Sequence, residues 1–245
     1  MARSGFTIVM RGAPERAPAT AWAHRVAGVL GALEEHAGVE RFVRYDERRV
    51  AHAVASDEQA VLAFLRSHPT NLDDAGVPQP DEGIQTTLIG FDERDDDEPL
   101  CRVEIHVGDQ RSQNDLIAHF YPHVDPQAPF EAFPGCVRAF SPAWACVESI
   151  PNMRRRLDEF EESLPPGVRE MMRIDRMLHW RTYLGPGRAS EIDPAAVAGR
   201  EDVLVRPLHK GVEVILGERW ESDEVLYERQ RELEPLLLGE RTPAR

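Results

Sequence analysis

Glu104 and His106 stand two residues apart in a run of alternating polar and apolar side chains. A strand through them would present a carboxylate and an imidazole on one face, two ligands of a metal site. A zinc centre needs a third or fourth ligand, and no candidate lies close by in the sequence, so two solvated side chains on a strand face are the plainer reading. His119 and His123 are four apart, but Pro122 lies between them and no Glu follows His119, which excludes the helical HExxH arrangement. There is no GxSxG elbow, no cysteine in a nucleophile context and no GxxxxGK[ST] loop. Gly185-Pro186-Gly187 lacks the third glycine of a dinucleotide fingerprint, and its proline removes a backbone donor, so it reads as a turn. With 43 acidic residues, paired carboxylates for acid–base work can be drawn in too many ways to be informative. The expectation is a protein that is not an enzyme, with no catalytic residues, no metal and no cofactor. A hydrolase assembled from distant residues, with His106 or His119 in it, is the alternative.

The acids are densest at Asp92, Glu93, Asp95, Asp96, Asp97 and Glu98, six carboxylates against the one guanidinium of Arg94. Three readings stay open. The run could offer oxygens to calcium, although the EF-hand ligand order and its glycine are missing. It could keep a hairpin tip solvated and discourage edge pairing. It could also match a basic groove on a partner, in which case these six residues form the partner-binding site.

The whole chain leans the same way, with a net charge of −14 over 245 residues. Such a surface repels nucleic acid and anionic membranes, and it either favours a basic partner or simply keeps the protein soluble. Cys101, Cys136 and Cys146 have no CxxC spacing and read as small buried hydrophobes in a reducing compartment. The opening apolar run is too short for a signal peptide, and no stretch is long enough to span a bilayer, so a cytoplasmic location is expected.

The elements that would carry these residues follow in order. Phe6 to Met10 reads as a buried strand and Ala19 to His36 as an amphipathic helix closed by Gly38. Phe42 to Tyr45 is a brief strand or a loop, and a helix runs from Asp57 to His68. Thr86 to Phe91, Leu100 to Val107 and Leu116 to Tyr121 form a three-stranded meander, with the acidic run at its first tip. Pro122, Pro126 and Pro129 suggest a connector, so the chain is one domain over 1–245 or two halves, 1–122 and 123–245. Phe130 to Phe140 reads as a helix despite Pro134, and Trp144 to Ile150 as a strand, while Met153 to Leu164 is charged and poorly patterned. Leu178 to Leu184 is expected as a strand, then Val203 to Arg206 and Gly211 to Leu216 as a hairpin, then a last helix from Ser222 or Asp223 with Pro235 near its end. The fold class is α+β, a mixed and mostly antiparallel sheet or sheets with flanking helices.

Five motifs in this order resemble the immunity protein 52 family, whose members are encoded beside bacterial polymorphic toxins. They are Leu88-Ile89-Gly90-Phe91; Val103 to Gly108 with Asn114 and Leu116; Ser141-Pro142-Ala143-Trp144-Ala145; His179-Trp180-Arg181-Thr182-Tyr183-Leu184; and Gly211 to Leu216. The chain departs from the family at His179, which stands where the family has Gly, and lacks its opening Tyr-Trp. The resemblance implies that Trp144, Trp180, Tyr183 and Leu184 are signature residues with a structural role. It also implies a protein of type VI or contact-dependent secretion systems that binds and neutralises a cognate toxin, in many cases a basic nuclease. A secretion-associated adaptor without a neutralising role is the second hypothesis.

Overall fold

The computed structural model describes residues 5–15, 17–46, 48–67, 82–92, 98–109, 113–163 and 177–238. In chain order its main elements are β1 (Phe6–Gly12), α1 (Ala19–Ala37), β2 (Arg41–Tyr45), β3 (Ala51–Val54), α2 (Glu58–Ser67), β4 (Glu82–Phe91), β5 (Cys101–Asp109), β6 (Asn114–Phe120) and α3 (Gln127–Phe140). Then come β7 (Trp144–Ser149), α4 (Ile150–Ser163), β8 (Arg181–Leu184), β9 (Leu204–Leu208), β10 (Gly211–Ile215) and α5 (Asp223–Leu238). All ten strands join one sheet in the order β3-β2-β4-β5-β6-β1-β7-β8-β10-β9. Every pairing among them is antiparallel, so the fold is α+β.

The first strand holds the sheet together. β1 pairs on one side with β6 (Phe6 opposite Phe120) and on the other with β7 (Phe6 opposite Ser149). The sheet is therefore continuous across the proline-rich connector at 122–129. Ile8 and Met10 turn towards α1 and α3, together with Leu116, Ala118 and Phe120 of β6 and Val103 and Ile105 of β5, all buried. Thr7, Val9 and Arg11 turn to the opposite face.

α1 buries Trp22, Val26, Val29, Leu30 and Leu33 at helical spacing and ends on Gly38, whose φ of 68° suits a residue without Cβ. It lies against α3 through two notches. A Cβ on Gly28 would come within 2.7 Å of Ala139 Cβ, and one on Gly135 within 2.8 Å of Ala32 Cβ. α2 begins where Asp57 Oδ1 accepts from the amides of Gln59 and Ala60, 3.0 Å from each, and packs beside α1.

Several elements differ from the sequence reading. The span from Met153 to Leu164 looked unpatterned because the buried side chains of the described part of α4 are the polar Asn152 and Arg156. β3 was not foreseen, since four residues that are mostly exposed carry no alternation. β8 starts at Arg181 rather than Leu178, because His179 and Trp180 turn inward ahead of the ladder. α3 starts three residues earlier than expected, at Gln127. Among the described residues no helix is long and apolar enough to cross a membrane.

Candidate functional site

The meander sets the polar residues of three strands side by side. On β5 and β6, Arg102 lies opposite His119 and His106 opposite Asp115; on β1, Arg11 lies opposite Asp115. Period-two alternation then places Arg11, Arg102, Glu104, His106, Asp115 and His119 on the face turned away from α1 and α3. Glu104 Oε1 is 3.0 Å from Arg102 Nη2 and 3.9 Å from His119 Nε2, and His106 Nε2 is 3.4 Å from Asp109 Oδ2. Arg11 Nε and Asp115 Oδ1 are 3.7 Å apart, too far for a hydrogen bond, and neither atom has another partner.

Partial burial sets the chemistry of this face. Desolvation lowers the pKa of His119 despite the attraction of Glu104, so the neutral ring is favoured. Desolvation also raises the carboxyl of Asp115, against the pull of Arg11 and His106. The structure thus adds His119 to the face that Glu104 and His106 share, within 3.9 Å of Glu104 but at the far end of β5 from His106. No group of three or more His, Cys, Asp or Glu side chains has the geometry to hold a metal ion among the described residues. What the face offers is a ladder of paired charges.

Two further carboxylates are wholly buried. Glu213 accepts from Arg181 Nε and, at 3.0 Å, from Arg206 Nε. Arg181 also donates to the carbonyl of Phe130, and the vacancy that receives it has a cause: Pro134, four residues on in α3, has no N–H to give that carbonyl. Desolvation lowers the pKa of Arg181, with Glu213 opposing it. On the other face Glu148 accepts from Gln230 of α5 and from the amide of Ser149 at 2.9 Å, and lies 3.4 Å from His179 Nδ1. Gln230 in turn accepts from Asn152 of α4 at 2.9 Å. This network binds α4 and α5 to the sheet and buries its groups too deeply for a solute to reach.

The signature residues are interior. Trp144, Trp180, Tyr183 and Leu184 are all buried, Trp144 lying opposite Leu184 across β7 and β8. Trp180 packs at an angle against Phe6, Phe130 and Trp220 at centroid distances of 5.8, 4.7 and 5.4 Å. Of the acidic run, Asp92 and Glu98 are described, and Glu98 Oε1 lies 3.2 Å from His123 Nδ1. Glu93, Asp95, Asp96 and Asp97 lie outside the described residues. Cys101, Cys136 and Cys146 are buried and unpaired, with burial pushing the thiols of Cys101 and Cys136 up to about 12 and Cys146 well above its ordinary value.

No family model and no curated protein matches the chain. Its fold is similar to the solved structure of the Pseudomonas aeruginosa T6SS protein PA0821, with a TM-score of 0.57 at 11% sequence identity, over 96% of this chain and 73% of that one. A likeness at that identity shows a shared fold: this chain and that protein carry the same α+β architecture.

Proposed function

We propose that this chain is a non-enzymatic immunity protein that binds a cognate type VI secretion toxin and neutralises it by covering its working surface. The observation that carries the reading is the fold held in common with a T6SS protein over 96% of the chain. The net charge of −14 supports a basic partner such as a nuclease, whose grip on nucleic acid requires Lys and Arg. The buried signature residues support a division of labour in which Trp144, Trp180 and Tyr183 maintain the scaffold and exposed acids meet the toxin.

The test is co-purification with the toxin encoded alongside, scored for binding and toxin activity at low and high salt. Tight binding that weakens with salt and abolishes toxin activity is the expected outcome. Reversing the charge of Asp92 to Glu98 should slow association about tenfold and flatten its salt dependence. An unchanged rate and salt slope would remove that run from the interface. Binding without protection would instead favour a secretion-associated adaptor, a reading that the fold likeness supports equally.

A further inference from the structure

Within the acidic chain the β2–β3 hairpin is locally basic. Between Arg41 and Val50 it carries Arg41, Arg44, Arg48 and Arg49 against Asp46 and Glu47. Its acid is occupied in holding the turn: Asp46 Oδ1 accepts from the amides of Arg48 and Val50, both at 2.9 Å, while Oδ2 lies 3.1 Å from His52 Nε2. Those two backbone hydrogen bonds, first the one from Val50, help hold the Asp46 carboxyl below its ordinary value. Arg44, Arg48 and Arg49 have no ion-pair partner among the described residues, and Arg48 and Arg49 are exposed. Beside them Tyr45 and Val50 are each 50% exposed, more than any other large hydrophobic side chain described.

The same hairpin ends the sheet. Among the described residues β3 pairs with β2 alone, so alternate N–H and C=O groups along Ala51–Val54 point outward without a ladder partner there. Ala51 and Ala53 are small and exposed and leave that backbone accessible. The opposite edge is guarded: β9 contains Pro207, which has no N–H to offer, and its Arg206 is engaged by Glu213.

We propose that the β2–β3 hairpin is a docking edge for a short, extended, acidic segment of another protein. The segment adds to β3 as a further strand and sets its carboxylates against Arg44, Arg48, Arg49 and His52, with an apolar side chain over Tyr45 and Val50. The partner is a peptide rather than a nucleic acid on two grounds. An open strand edge presents alternating donors and acceptors, which another backbone matches and a phosphodiester does not. A long polyanion would also meet the repulsion of the chain's −14 charge, whereas a few acidic residues meet only the local arginines. The inference is independent of the toxin reading, because a basic toxin surface would be repelled from this hairpin.

The experiment uses a short fluorescein-labelled peptide of alternating Glu and Val, and its Lys–Val counterpart. Anisotropy is read at low and high salt against the full chain and against the triple variant Arg44→Glu/Arg48→Glu/Arg49→Glu, with hydrogen exchange followed at 51–54. The Glu–Val peptide should bind and the Lys–Val peptide should not. The variant, with an unchanged unfolding midpoint, should bind about tenfold more weakly, and exchange at 51–54 should slow on binding. Equal binding of both peptides, undiminished binding to the variant, protection elsewhere in the chain, or no binding would each overturn the proposal. Slowed exchange at 51–54 that rises with protein concentration in the absence of peptide would assign the edge to a second copy of the chain and would overturn it as well.

Discussion

Arg181 keeps a charge in the interior, with 2% of its surface exposed, because each direction it points in holds an acceptor or a ring. Glu213 and the Phe130 carbonyl accept its hydrogen bonds, and its guanidinium carbon sits 4.6 Å from the centroid of Phe130 and 5.3 Å from that of Phe133. Removing only the anion, as Glu213→Leu, should cost about 3–5 kcal/mol in urea unfolding, since it strands a buried cation. The double variant Arg181→Met/Glu213→Leu should recover about half of that and retain a deficit of about 1–3 kcal/mol, the cost of leaving the Phe130 carbonyl bare. At His119 the effect depends on pH. Its folded pKa is lowered, so the stability it contributes is complete above its ordinary value of 6.5 and is lost as pH falls through that value towards the folded one. Asp115 works in the opposite sense: with a raised folded pKa, stability is regained as pH falls from that value towards 3.8. The urea midpoint of His119→Gln should therefore be flatter than the parent's just below 6.5. The period of β5 already put Glu104 and His106 on one face. That Asp115 and His119 join them was not readable, because it depends on the pairing register of β5 with β6.

At the level of the helices, two glycines of α1 make opposite demands. Gly28 faces Ala139 with no room for a methyl group, whereas a Cβ on Gly31 would meet nothing within 4 Å. Gly31→Ala should stabilise the protein by about 0.5–1 kcal/mol through helix propensity. Gly28→Val should destabilise it by about 1–3 kcal/mol, since α1 and α3 must move apart. Thermal unfolding of the two variants checks both signs. α1 was legible because its apolar residues repeat at helical spacing. α4 was not, because its inner side is held by Arg156, which donates to Glu234 and to the Leu178 carbonyl, and by Asn152 on Gln230. Such partners come from elements far along the chain, and no local pattern announces them.

For the molecule as a whole, the α+β class followed from the alternation of strand and helix patterns, and the meander from its turns. That all ten strands enter one sheet was not legible, since it rests on β1 accepting partners on both edges. A fragment comprising 1–122 keeps the β1–β6 ladder but bares the β1 edge that β7 covers. It should associate or precipitate alone and become soluble when 123–245 is co-expressed, as gel filtration would show. The central position of β1 also sets a timetable for synthesis. Phe6 leaves the ribosome ahead of its partners Phe120 and Ser149, which follow 114 and 143 residues later. At ordinary elongation rates the nascent chain carries this apolar strand without a mate for roughly 6–30 s, an interval in which a chaperone is its natural companion.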